Sequence, residues 1–167
     1  MRRVLIFGNS GSGKSTLAKH LSESPGLAHF DLDSIAWLPT DPPQRAPISG
    51  CADQIDRFMT AHEGWVIEGC YADLIEIATV NATELIFLDL CVDDCIANAK
   101  RRPWEPHKYS SKESQVAKLD MLVNWITTYP DRTDSCSRPS HVALYERFQG
   151  WKKVETRNHA IRQQHNE

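Results

Sequence analysis

The segment Gly8-Asn9-Ser10-Gly11-Ser12-Gly13-Lys14-Ser15 constrains this chain more than any other feature. It fits the spacing G-x-x-x-x-G-K-[ST] without a mismatch. It also lies directly after the apolar run Val4-Leu5-Ile6-Phe7 and ahead of Leu17, Ala18 and Leu21 at helical spacing. A buried strand, a glycine-rich turn and a helix N-terminus are therefore expected in succession. Phosphate oxygens carry dense negative charge, and backbone N–H groups reach them only where side chains do not block the approach. Gly11 and Gly13 supply that bare backbone, within a cradle running from Gly8 to Thr16. The helix N-terminus adds unpaired N–H groups and a partial positive charge. Lys14 supplies a point charge for the β- and γ-phosphates of a nucleoside triphosphate such as ATP, and the Ser15 hydroxyl a ligand for Mg²⁺.

Downstream, apolar runs alternate with helical periodicity. Strands are expected at Leu27–Leu32, Trp65–Ile67 and Leu85–Leu88, with a weak one near Lys152–Thr156. Helices are expected at Cys51–His62, Asp73–Val80, Val92–Arg102, Lys112–Thr128 and around Ser140–Phe148. Leu38–Pro47 holds four prolines and reads as an irregular loop. The tail from His159 is polar and expected to fray. Strands separated by helices imply a parallel α/β sheet, because parallel neighbours need crossover connections.

The 167 residues, 41% hydrophobic and 25% charged, suit one domain over 1–167. A balance of 19 basic against 22 acidic residues counts against nucleic acid as a partner. No apolar run is long enough to span a membrane. Five cysteines without a C-x-x-C pair, and no signal-peptide core, point to a reducing cytoplasm with free thiols. The histidines show no metal-ligand spacing.

Asp31-Leu32-Asp33 closes the second strand, and alternate residues of an extended segment face one way, so both carboxylates are expected in one crevice. One would help hold the Mg²⁺ water shell while the other orients or deprotonates an acceptor hydroxyl. Glu68 and Asp89 each follow an apolar strand, and either fits the strand-end carboxylate of nucleotide-hydrolysing folds; by pattern alone Asp89 is the cleaner match. Lys100, Arg101, Arg102, Lys108, Lys112 and Lys118 cluster after a stretch in which Arg57 is the one basic side chain. Lys108 and Lys112 read as solvated surface.

Three stretches carry a family resemblance: Arg3–Gly8 through Leu17-Ala18, His29–Asp33 with Ala36-Trp37-Leu38-Pro39, and Trp65–Tyr71. Together they make the chain similar to the small P-loop kinases of the adenylate, shikimate and gluconate kinase group. It looks closer still to the adenylate kinase-like, or topology-modulation, subset. The resemblance implies a P-loop NTPase three-layer α/β sandwich with a five-stranded parallel sheet in the order 2-3-1-4-5. It also implies an acceptor-side insert at about residues 34–63 and a small lid at about 101–114. Asp31 would then lie near Mg²⁺, Asp33 at the acceptor, and Glu68, ranked above Asp89, beside the cradle on the metal side. Arg101 and Arg102 fall where lid arginines close over ATP and stabilise charge on the transferring group, giving Lys14, Asp33, Arg101 and Arg102 as the catalytic set. One departure matters: Gly69-Cys70-Tyr71-Ala72-Asp73 lacks the arginine with which nucleoside monophosphate kinases clamp the acceptor phosphate. The expected activity is an ATP- and Mg²⁺-dependent phosphotransferase acting on a small hydroxyl-bearing molecule, nucleotide-like or sugar-acid-like. The alternative is a nucleotide-binding regulator that hydrolyses ATP slowly and acts through a partner.

Overall fold

A computed structural model describes residues 1–158, so the tail from His159 lies outside the described residues. The apolar run after Arg2 forms β1 (Arg3–Gly8), and the helix expected after the glycine turn is α1 (Lys14–Ser22). Then come β2 (Ala28–Asp31), β3 (Trp37–Leu38), β4 (Gln44–Arg45), α2 (Ile48–Ala61), β5 (Trp65–Gly69), α3 (Ala72–Ala78) and β6 (Glu84–Leu88). The chain continues through α4 (Val92–Arg101), α5 (Lys112–Ala117), α6 (Leu119–Thr127), α7 (Arg138–Arg147) and β7 (Trp151–Glu155).

Five strands form one parallel sheet ordered β2-β5-β1-β6-β7. Its three inner strands are the most apolar runs of the sequence and are buried on both faces, as parallel sheets require. Side-chain alternation divides the core in two. Leu5, Phe7, Trp65, Ile67, Leu85 and Phe87 pack with α2, α3 and α7 on one face. Val4, Ile6, Val66, Ile86 and Leu88 pack with α1, α4 and α6 on the other. Each of these fully buried side chains contributes about 1.5–3 kcal/mol. The sheet and its two helical layers are what hold the β1–α1 turn in place.

Three expectations are corrected. The order 2-3-1-4-5 counted five strands and does not stand as numbered, because the proline-rich stretch contains an antiparallel hairpin, β3–β4. The hairpin takes the third and fourth places in the chain, which makes the sheet order β2-β5-β1-β6-β7. Pro39, Pro42 and Pro43 lie between the paired positions and Pro47 beyond them, so none removes a ladder donor. Asp31 and Asp33 are not alternate positions of one strand. Asp31 ends β2, and Asp33 sits in the 3₁₀ turn Leu32–Ser34, its N–H donating to Asp31 Oδ1 at 2.9 Å. Finally, Lys112–Thr128 is two helices, with Lys118 between them at φ −91° and ψ −2°.

Candidate active site

The turn from β1 into α1 is a preformed cradle. Gly11 holds φ +77° and Gly13 φ +90°, left-handed conformations that glycine adopts without strain, and both border the cleft that Asp33 and Glu68 line. The turn is pinned from both sides: Asn9 Nδ2 donates to the Ile126 carbonyl of α6 at 3.2 Å, and Asn98 Nδ2 of α4 to the Gly11 carbonyl at 2.8 Å. Gly13 caps α1 without a side chain, so the first-turn N–H groups face outward and have no intrahelical acceptor. Lys14 Nζ folds back to the Asn9 carbonyl at 2.8 Å. Ser12 Oγ is buried and has no partner among the described residues. Open amides, an ammonium and an orphaned hydroxyl on one loop fit the oxygens of a polyphosphate.

Beside the cradle, Ser15 Oγ donates to Glu68 Oε1 at 2.7 Å, and His29 Nε2 lies 3.3 Å from the same oxygen. Glu68 is 1% exposed, near the C-terminal end of β5 between β2 and β1. The other strand-end carboxylate, Asp89, is committed elsewhere: Arg138 donates to both its oxygens, at 2.9 and 2.7 Å. Ser15, Glu68 and Asp31 offer only hard oxygen donors, the chemistry of Mg²⁺, which takes one or two protein ligands and fills its shell with phosphate and water. No group of three His, Cys, Asp or Glu among the described residues is arranged to hold a metal ion.

Asp33 carries the densest interactions of the cleft. The Tyr71 hydroxyl donates to its Oδ1 at 2.7 Å, and Lys108 Nζ donates to its Oδ2 at 2.9 Å. Lys108 also lies 3.9 Å from Asp31 and 3.8 Å from Glu105, which in turn pairs with Arg102 at 3.3 Å. Trp37 Nε1 donates to the Tyr71 hydroxyl at 2.7 Å, so one relay runs Trp37–Tyr71–Asp33–Lys108. Burial works against charge on Asp33, but Lys108 and the Tyr71 donor outweigh it and hold the carboxyl below its ordinary range. Asp31 moves the opposite way: burial, then repulsion from Glu68 and Asp33, raises it. Burial, with Cys70 and Asp33 alongside, raises the Tyr71 phenol so far that it acts as a neutral donor. Lys108 is raised because its carboxylate partners outweigh the burial that opposes its charge.

One cleft of about 370 Å³ is bordered by Lys14, Ser15, Asp33, Glu68, Arg102 and Lys108. A second opening, about 440 Å³, lies on the far side of the turn between Thr16, Asn98, Arg101, Arg102 and Arg157. The structure thus brings Ser10, Gly11 and Gly13 to Thr16 of the turn together with Asp33 and Glu68, with Asp31 beside them against Lys108; Arg102 borders both openings, whereas Arg101 borders the second and not the cleft. Arg101 is exposed, its Nη2 donating to Asn98 Oδ1 at 3.1 Å. Sequence reasoning missed Lys108, Tyr71, Glu105 and Asn98. Tyr71, two residues past the end of β5, had a legible signal in that position. Lys108 had only the basic clustering around it, which was read as surface.

No family model matches the chain, and no curated protein sequence matches it. Solved structures do. A sugar kinase from Janibacter sp. HTCC2649, in unliganded form, superimposes with a TM-score of 0.51 at 13% identity, over 93% of this chain and 85% of that one. A deoxyadenosine kinase from M. mycoides with bound dATP aligns with a TM-score of 0.45 at 13% identity, over 92% and 90% of the two chains. This chain shares the fold of the sugar kinase.

Proposed function

We propose that the chain is an ATP- and Mg²⁺-dependent phosphotransferase acting on a small hydroxyl-bearing acceptor, within the small P-loop kinase group and nearest its adenylate kinase-like subset. The observation that carries this reading is that the phosphate cradle and the anchored Asp33 carboxylate open into one cleft. The first would hold a donor and the second an acceptor. Shared fold with a sugar kinase supports it.

In this reading the triphosphate lies along residues 8–16, with Lys14 against the β- and γ-phosphates and the nucleoside end in the opening near Arg101 and Arg157. Ser15 and Glu68, with Asp31 behind them, would hold Mg²⁺, which when bound neutralises the β- and γ-phosphate oxygens. Asp33, kept ionised, accepts a hydrogen bond from the acceptor hydroxyl and aims its oxygen at the γ-phosphorus. The new P–O bond forms as the bond to the β–γ bridging oxygen breaks, ADP departs, and the hydroxyl proton passes to Asp33 or water. Arg101 and Arg102 stabilise the spread charge, so the work is mainly positioning and electrostatics. Residues 34–63 would form the acceptor side and 101–114 the lid. Arg45, the cation on that acceptor side nearest Tyr71, is spent on Asp73 at 3.1 Å and on the Tyr71 ring at 4.8 Å. An uncharged hydroxyl compound is therefore favoured over one bearing a second phosphate. Five unbridged cysteines suit a cytoplasmic setting, and no helix among the described residues is long and apolar enough to cross a membrane.

One observation favours a second reading, a nucleotide-binding regulator with slow hydrolysis: both Asp33 oxygens are already engaged, by Tyr71 and Lys108. Screening polyols, sugars and nucleosides with MgATP, in wild type and Asp33→Asn, separates the two. Acceptor-dependent ADP release lost in Asp33→Asn supports the kinase. Release indifferent to every acceptor and to the substitution supports the regulator.

A further inference from the structure

Two thiols that the proposed chemistry does not use sit against each other at the base of the cleft. Cys70 follows β5, Cys136 precedes the Ser137 cap of α7, both are buried, and their sulfurs are 3.5 Å apart. The backbone around them is already tied. The Ala72 N–H donates to the Ser135 carbonyl at 2.9 Å, His141 Nε2 lies 2.7 Å from the Cys70 carbonyl, and Arg132 donates to the Cys136 carbonyl at 2.9 Å. A disulfide requires sulfurs about 2.05 Å apart, so closure here needs a side-chain movement of about 1.5 Å. Cys70 also borders the cleft shared by Lys14 and Asp33, which brings a small oxidant to one edge of the pair, 3.5 Å from the Cys136 sulfur. The Cys70 thiol, donating its hydrogen bond, lowers the Cys136 thiol; burial opposes this and Arg45 assists it. Thiolate, the reactive form, is thereby favoured at Cys136.

We propose that Cys70 and Cys136 form a reversible thiol–disulfide site, closed by an oxidant of the peroxide class and reopened by a dithiol. The Cys136 thiolate attacks one peroxide oxygen, the O–O bond breaks, and the departing hydroxide takes up the thiol's proton as water, leaving a sulfenic acid. Cys70 sulfur then attacks the sulfenic sulfur, and its proton leaves with the hydroxyl as a second water. The two thiols lose two electrons and two protons, and the peroxide gains both. Tyr71, whose hydroxyl grips Asp33, follows Cys70 directly, so the bond forms one residue from the cleft. The assignment does not depend on the phosphotransferase reading.

The test uses the full chain carrying Cys91→Ser, which removes the exposed thiol at a position where it makes no cap hydrogen bond. The protein is treated with hydrogen peroxide, quenched, denatured and alkylated. Two of the four remaining thiols should resist alkylation, a peptide map should join residues 70 and 136, and dithiothreitol should reverse both. Adding Cys136→Ser or Cys70→Ser should abolish the cross-link. Four thiols still free after treatment would overturn the proposal, as would a bond through Cys51 or Cys95, or over-oxidation at Cys136 without a link. Should a serine variant fail to fold, the peptide map of the parent chain decides alone.

Discussion

Gly11 and Gly13 both hold positive φ, but their surroundings differ, and that difference separates folding from binding at the scale of single residues. A Cβ on Gly13 would meet nothing within 4 Å, whereas one on Gly11 would lie 2.3 Å from the Cys95 carbonyl of α4. Gly13→Ala should therefore cost only the left-handed strain, about 1–2 kcal/mol, while placing a methyl at the mouth of the cradle. Gly11→Ala must also push α4 off the turn, which should raise the cost to about 3–5 kcal/mol. Urea midpoints order the two variants; equal midpoints would mean that the turn and α4 separate easily. Lys14→Met bears mainly on binding, since the hydrogen bond its ammonium makes is to a carbonyl of its own turn and its attraction to Asp33 is among the weaker influences on that carboxylate. A charged hydrogen bond is worth about 1.5–3 kcal/mol, so MgATP affinity should fall at least about tenfold with the melting temperature unchanged. Calorimetric titration reads that fall, and unaltered affinity would remove the cradle from the nucleotide site.

At the scale of elements, the segment between α4 and α5 behaves as a tethered strap. Its own turn is closed by the N–H groups of Lys108 and Tyr109 donating to the Glu105 carbonyl at 3.0 Å, and the Glu105 N–H donates to Gln115 Oε1 at 2.9 Å. Its attachment across the cleft runs through Lys108, paired with Asp33 at 2.9 Å and lying 3.9 Å from Asp31. A partly exposed pair contributes about 1 kcal/mol at most, so Lys108→Met should speed amide exchange over residues 103–111 about fivefold and leave the global melting temperature nearly unchanged. Unchanged exchange would show that the turn, not the lysine, holds the strap. The same segment shows where sequence reading stops. Strands β1, β5 and β6 were legible because a run buried on both faces is apolar at every position, and the β1–α1 turn because its glycines fall between an apolar run and a helical one. The β3–β4 hairpin was not, since two-residue strands leave no periodicity and prolines mask them. Lys118 interrupts a helix whose apolar spacing runs on through the break. The reach of Lys108 to Asp33 joins residues 75 positions apart along an irregular path that no local pattern encodes.

For the whole molecule, the pH response of stability is set by groups whose protonation differs between the folded and unfolded chain. Asp33 and Glu84 are depressed, the latter by its bidentate bond with Arg2. Their stabilisation is present above the ordinary carboxylate range and is lost as pH falls through their folded values. Asp31 is raised and acts in reverse, costing stability once the pH exceeds its ordinary value. His141 acts in a separate, higher window. It is fully buried between Tyr129, whose hydroxyl lies 2.7 Å from Nδ1, and the Cys70 carbonyl at Nε2, and it packs edge-on against Phe7 and Phe87. Burial lowers it from 6.5 to about 4. Between those values the unfolded chain binds a proton that the folded chain refuses, so stability is full above pH 6.5 and drains away as the pH falls toward 4. The loss should be on the order of 3 kcal/mol across the window. His141→Gln keeps a donor and an acceptor but does not titrate, so it should lower stability at neutral pH and flatten the slope between pH 6.5 and about 5, before the carboxylates take over. Urea unfolding of both proteins across that interval measures the difference in slope. An equally steep fall in the variant would locate the acid sensitivity in the carboxylates lining the cleft instead.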